Sequence, residues 1–364
     1  MLYREAGEFK SSYAADQAIF PIRQDRFLIA ATLAVAFVAV PLLARVGWFP
    51  DYLLLSVLIP FLVFSLAALG LNILTGYAGQ VSLGTGGFMA VGAFATYKLA
   101  TSFPELNIVL VLLIAGLVTA LVGLFFGFPS LRIKGFYLAV ATLASQFFLI
   151  WMFNHFPWFN NYSPSGVISA PQRAVFGRFF VTGAEANPID KYLFVLAVVG
   201  VLAFAAKNLV RGRVGRSWMA IRDMDIAAEI IGIRPLRTKL LAFAVSSFYC
   251  GIAGAMWAFI YTGGVEPLAF DIDRSFEILF MIIIGGLGSI LGSFLGAAFI
   301  VLLPIFLENA PRLLGIPIPV NVVTEAQLVI EGALIIFFLA VEPRGFARLW
   351  QIGKEKLRMW PFPY

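Results

Sequence analysis

One His (His155) and one Cys (Cys250) in 364 residues leave little for acid–base, nucleophilic or metal chemistry. That count excludes an intramolecular disulfide and a His-rich metal site, and no cofactor is expected. The sequence contains no His-Glu-x-x-His and no Gly-x-Ser-x-Gly. It also lacks the phosphate loop Gly-x-x-x-x-Gly-Lys-[Ser/Thr], because Gly353-Lys354 is followed by Glu355. What remains is a set of uncharged polar side chains inside apolar runs: Asn72, Thr75, Gln80, Ser82, Thr142 and Gln146. They can line a route for a polar solute, or equally hydrogen-bond a neighbouring helix.

Several of these residues sit among glycines. Nine of the thirteen residues at 75–87 are small: Thr75, Gly76, Ala78, Gly79, Ser82, Gly84, Thr85, Gly86 and Gly87. Each Gly disfavours a continuous helix by about 1 kcal/mol relative to Ala. Broken backbone at membrane depth survives only where protein or water covers it, and there it offers free N–H and C=O groups to a solute. Close helix packing through small residues is the other reading. A second cluster, 285–297, begins Gly285-Gly286-Leu287-Gly288. One interrupted segment in each half hints at an internal repeat. In a five-plus-five division, however, the breaks fall after spans two and eight, which do not correspond.

The elements that position these residues follow from composition. Hydrophobic residues make up 61% of the chain and charged residues 13%, against about 25% charged in a soluble domain. A chain of this size in water has no means of hiding that much apolar surface, so an ordinary soluble enzyme is excluded. The expectation is an all-α polytopic membrane protein of about ten transmembrane helices (a range of 8–10), with broken segments near 75–87 and 285–297. Residues 1–26 form an N-terminal tail, 27–341 the membrane domain and 342–364 a C-terminal tail. Glu277 and Glu331 approach membrane depth and read as helix-end or salt-bridge residues. His155, beside Phe156, Pro157 and Trp158, reads as an interfacial anchor, and Cys250 as packing.

Charge placement gives an orientation. Residues 207–239 hold eight basic residues, the turn at Arg132 and Lys134 is basic, and so is the tail after 343. The 263–273 connection carries Glu266, Asp271 and Asp273 with no Lys or Arg. Ten spans with both termini cytoplasmic put the basic segments inside, including the loop 211–239, and put 157–190 and 263–273 outside. The net charge of +6 thus reads as membrane topology, with no nucleic-acid partner expected. Residues 220–231 read as one amphipathic helix with Ile221, Met224, Ala228 and Ile231 on a face suited to a soluble partner rather than to lipid.

That loop contains Ala227-Ala228-x-x-x-Gly232, which resembles the EAA-x-x-x-G coupling loop of ABC importer permeases, with Ile226 in place of the Glu. The stretch from Gly215-Arg216 through Ala220, Arg222 and Asp225 to Gly232 is similar to the branched-chain amino-acid permease family, its M-type subunits in particular. So are residues 75–84, 135–144 and 285–297, and Pro343-Arg344-Gly345 where the family ends its last span. Ser293 stands where Pro is common in the family.

The resemblance implies a non-enzymatic permease subunit in the bacterial inner membrane. Its partners would be a second, homologous permease subunit in a heterodimer, two cytoplasmic ATPases, an extracytoplasmic solute-binding protein and membrane lipid. Gly215, Arg216, Ala220, Arg222, Asp225, Ala227, Ala228 and Gly232 would form the ATPase-coupling loop. The expected path is Asn72, Thr75, Gly76, Gly79, Gln80, Ser82, Gly84, Thr142, Gln146, Gly285, Gly286 and Gly288. The solute would be a branched-chain amino acid, with urea, a short amide or another small acid as alternatives that share the motifs. An ion-coupled secondary transporter is the rival class, and it needs ionisable groups that the clearest spans lack.

Overall fold

The computed structural model describes residues 12, 23–130, 137–163, 167–175, 179–183, 186–313, 320–341 and 345–359. The remainder of the N-terminal tail before residue 23, the turn at Arg132 and Lys134, Pro343-Arg344 and the side chain of Glu331 lie outside these residues.

Uninterrupted apolar runs become long helices. α1 (residues 23–45) is followed by α2 (Asp51–Tyr77), α3 (Thr85–Ser102), α4 (Ile108–Ser130), α5 (Tyr137–His155) and α6 (Pro188–Arg211). Two short helices, α7 (Arg213–Asp223) and α8 (Asp225–Ile230), precede α9 (Pro235–Thr262) and α10 (Ile272–Gly285). The chain continues through α11 (Ile290–Leu313), α12 (Val320–Val341) and α13 (Gly345–Met359). Among the described residues, seven helices are long and apolar enough to cross a membrane: α1, α2, α4, α5, α6, α9 and α11. α10 falls short because 14 residues give about 21 Å, less than the ~30 Å of hydrocarbon.

Short strands join the helices at one end. β1 (Ile168–Ser169) pairs antiparallel with β4 (Gly264–Val265), Ile168 opposite Val265. β2 (Arg173–Val175) pairs with β3 (Phe179–Thr182) in a separate two-stranded ribbon. The β1–β4 pair brings the connection after α5 and the connection after α9 to the same end of the molecule. At the opposite end, Lys354 of α13 pairs with Asp25 of α1 at 2.9 Å. α13 also packs on α10 and α11, so both described chain ends share the end that carries α7 and α8.

Buried α2 and α9 form the centre, whereas almost none of α1 is buried. Small residues set the closest approaches. On Gly92 of α3, a side chain would overlap the Gly251 backbone of α9. The packing reading of the small residues therefore holds within the helices, and at 78–84 the helix is interrupted.

A repeat exists, but between other segments than the sequence suggested. α2 and α9 both end in wide π turns, Ile73–Tyr77 and Trp257–Thr262. Each is followed by a glycine at φ +69°, Gly79 and Gly263, in the left-handed region that other residues avoid. A stretch without α-helix (it holds a 3-10 turn, Pro267–Phe270, before α10) and then α3 or α10 come next. α3 packs on α9 as α10 packs on α2, and α4 packs on α9 as α11 packs on α2. α5 lies on α3 and α4 as α12 lies on α10 and α11. The two units run in opposite directions: α2 descends to the α7–α8 end, while α9 climbs from it to β4. The partner of the 78–84 break is thus 263–271. The 286–289 turn between α10 and α11 instead corresponds to the α3–α4 connection.

Residues 220–231 are not one helix. Met224 is extended (φ −160°, ψ 94°) and separates α7 from α8. Ile221 and Ala228 are buried, while Met224 and Ile231, expected on the same face, are 68% and 74% exposed.

Candidate functional site

The C-terminal end of α2 is held from two sides. Asn72, fully buried, donates its amide to the carbonyl of Ser289 (2.9 Å), the hydroxyl of Ser293 (2.9 Å) and the carbonyl of Gly286 (3.4 Å). Its Oδ1 accepts from the Gly288 amide at 2.8 Å. Leaving such groups buried and unmade costs about 1–3 kcal/mol each, so one side chain fixes the whole 286–289 turn against α2. One turn later Gly76 lets the backbones meet, because a Cβ there would overlap Asn72 Oδ1 and the Gly288 amide. From the other side, Arg222 at the end of α7 donates Nη1 to the Gly76 carbonyl at 2.9 Å. Its Nε pairs with Asp223 at 2.9 Å. Terminal helix carbonyls lack intrahelical partners and carry the negative end of the helix dipole, so a guanidinium is well placed there.

The second knot lies where α3 begins. The first amides of a helix are orphaned, and here other helices cap them. Leu83 N–H donates to Thr142 Oγ1 at 3.0 Å, Gly86 N–H to Ser275 Oγ at 2.8 Å, and Gly87 N–H to Gln146 Oε1. Ser275 donates in turn to Gln146 Oε1 at 3.1 Å, and Gln146 Nε2 donates to the Phe270 carbonyl at 2.8 Å. Gln146 is the central residue of α5 and fully buried. The first turns of the two short, opposed helices α3 and α10 therefore meet at mid-depth of α5, stitched by side chains and by no charge.

Residues 53–339 match the family described as "Branched-chain amino acid transport system / permease component". The chain belongs to this family. The permease is 33% identical over 259 residues to the high-affinity branched-chain amino acid transport system permease protein LivM of Salmonella typhimurium. That match covers 66% of this chain and 60% of the relative, so the chain spans less than two thirds of that protein's length. It is 32% identical over 299 residues to the Escherichia coli K12 protein of the same name, covering 77% and 68%. It is 25% identical over 333 residues, 80% and 92%, to the probable branched-chain amino acid transport permease protein LivM of Methanocaldococcus jannaschii. No solved structure matches.

The permease distributes the sequence-predicted residues over the two knots. Asn72, Gly76, Gly286, Gly288 and Arg222 share the first, and Gly84, Thr142 and Gln146 the second. Thr75 closes the break by donating to the Gln80 carbonyl at 3.1 Å, and Ser82 Oγ accepts from Gly84 at 3.5 Å. Gly79 packs its Cα side on the Arg222 side chain, and Gly285 meets Gly292 and Gly296 across the α10–α11 turn. In the loop, Gly215 abuts the Val210 backbone, while Arg216 and Ala227 are exposed and Ala220 and Asp225 half-buried. Gly232 (φ +91°) ends α8: its N–H donates to Glu229 and that of Ile233 to Ala228, the Schellman pattern.

Sequence reasoning missed Ser275, which has no signal beyond a hydroxyl in an apolar run. It also missed Trp218, a fully buried ring whose Nε1 donates to the Thr238 carbonyl at 3.1 Å and fastens α7 to the first turn of α9. Glu277, expected as a salt-bridge residue, pairs with Arg274 at 2.5 Å. The guanidinium of Arg274 lies 5.0 Å from the Phe64 ring and 4.8 Å from the Trp257 ring. His155 stacks on Trp151 at 4.9 Å, and Cys250 is buried against the Ala67 carbonyl.

Proposed function

We propose that this chain is a permease subunit of an ATP-driven importer that carries branched-chain amino acids, or a similar small polar solute, across the bacterial inner membrane by alternating access. In this reading it crosses the membrane ten times. α3, α10 and α12 complete the set, and the stretches without α-helix before α3 and α10 add to the depth those helices reach. Both termini and the loop 211–239 are cytoplasmic, which accords with Asp25, α13 and α7–α8 sharing one end. The subunit pairs with a second, homologous permease, two cytoplasmic ATPases and an extracytoplasmic binding protein. The names of the relatives support the solute class.

One observation carries the reading: the hydrogen bond from Arg222, in the loop, to Gly76 at the broken end of α2. Beside it α8 leaves Met224, Ile226, Ile230 and Ile231 exposed, at 66–81%. Such an apolar patch in a charged loop suits an ATPase groove. Closure of the ATPases would move α7–α8, and Arg222 would pass that displacement to α2 and through Asn72 to the 286–289 turn. Opposed repeats supply the two arrangements between which access alternates.

The test is uptake into proteoliposomes holding this chain, its partner permease and both ATPases, with leucine-loaded binding protein outside. Uptake should require ATP hydrolysis. Uptake that continues without ATP and collapses with an ion gradient would instead establish the secondary-transporter reading.

A further inference from the structure

A cavity of about 330 Å³ opens between the 78–84 break and the junction of α7 and α8. Gln80, Arg222, Asp223, Asp225 and Lys239 supply its polar wall. Arg222 is engaged by Asp223 and by Gly76. Among the described residues the other three polar groups have no side-chain partner. Gln80 is 5% exposed, and neither atom of its amide makes a hydrogen bond among the described residues. Asp225 and Lys239 come from different helices, and neither has an ion-pair partner among the described residues.

Of these three only Gln80 is buried, and a buried amide without a partner calls for one; Asp225 and Lys239 are half-buried beside it. What is left over here is one carboxylate, one ammonium and one amide around a space the size of a small-molecule site. The complement of that set is a small zwitterion, whose two charges are opposite and a few ångströms apart. A solute of one charge would leave either Asp225 or Lys239 facing it uncompensated, and an apolar one would leave all three unmet.

We propose that this cavity binds the transported amino acid by its α-amino and α-carboxyl groups at the loop-side mouth of the path. Lys239 faces the carboxylate, Asp225 faces the ammonium, and the Gln80 amide bonds to either. The proposal rests on the amino-acid importer reading above. It adds a point at which the solute touches the same wall as Arg222, so that occupancy is registered by the residue that links the loop to α2.

The experiment uses the whole complex in nanodiscs, with neither binding protein nor nucleotide. Binding of labelled L-leucine is measured in competition with leucinamide, which lacks the carboxylate, and 4-methylpentanoate, which lacks the ammonium. Leucine should bind, with each analogue weaker by about tenfold or more, as expected for loss of one charge contact. Lys239→Gln should erase the preference over leucinamide alone, and Asp225→Asn the preference over 4-methylpentanoate alone. No leucine binding, equal binding of all three compounds, or variants that keep the original preferences would overturn the site. Should a variant fail to assemble, the competition series on the unaltered complex decides. ATP-driven uptake with the binding protein is a separate readout. Leucine uptake without this binding pattern overturns the cavity site alone, whereas failure to transport any amino acid overturns the importer reading.

Discussion

Arg222 and Gly76, 146 positions apart in the chain, are joined by a 2.9 Å hydrogen bond from guanidinium to carbonyl. The bond spans the gap between a loop element and the broken end of a central helix. A single arginine thereby connects the loop that carries α8 to the end of the helix from which Asn72 holds the 286–289 turn.

Arg222→Ala should therefore separate ATP hydrolysis from transport. A charge-assisted bond of this kind contributes about 1.5–3 kcal/mol, and its loss leaves α7 anchored by Trp218. Co-purification with the ATPases and basal hydrolysis should persist while uptake falls by tenfold or more, roughly the factor that 1.4 kcal/mol represents. Arg222→Lys, a point charge without the fork, should recover part of the uptake. Equal loss of assembly and uptake would mean that Arg222 only holds the fold.

Gln146→Leu should destabilise the knot where α3 and α10 meet. It strands the Gly87 amide and the Phe270 carbonyl together, at about 1–3 kcal/mol for each group. Thermal unfolding in detergent should shift down by several degrees, with the Thr142→Val variant showing a smaller drop because it frees one amide. An unchanged melting curve would show that water replaces the side chain.

Gly232→Val tests the helix stop after α8. Nothing lies within 4 Å of the added Cβ, so the cost is backbone strain at φ +91°, about 1–2 kcal/mol. Membrane insertion should be normal, and ATPase docking or transport should be lost as the direction of the chain after α8 changes. Gly232→Asn, which tolerates this conformation, should be milder. Normal transport by the valine variant would remove the Schellman stop from the coupling account.

The Arg274–Glu277 pair gives different predictions for single and double changes. Arg274→Leu or Glu277→Leu alone leaves one half-buried charge without its partner, at about 1–3 kcal/mol. The double leucine variant should melt closer to the parent than either single one. A double variant as unstable as the singles would mean that Phe64 and Trp257 depend on the cation itself.

The sequence by itself determined that this chain lives in a membrane and where most of its helices run. Those facts follow from local composition: apolar runs without charge must leave water, and basic residues must stay outside the hydrocarbon. It also marked Asn72, Gly76 and Gln146 as unusual, because polar or backbone-exposing residues at depth need a reason, and the family resemblance put Arg222 in the coupling loop. It did not pair them. The extended residue Met224 splits 220–231 against the helical period, and of the expected apolar face only Ile221 and Ala228 are buried. Only the tertiary structure decided that 263–271 is the counterpart of 78–84, that Ser275 caps α3, and that Arg222 ends at Gly76. Each of these relates segments more than 140 residues apart, and the last two are made by one side chain on a backbone amide or carbonyl that every residue carries. Side-chain type records which groups need a partner, and packing alone decides who supplies it.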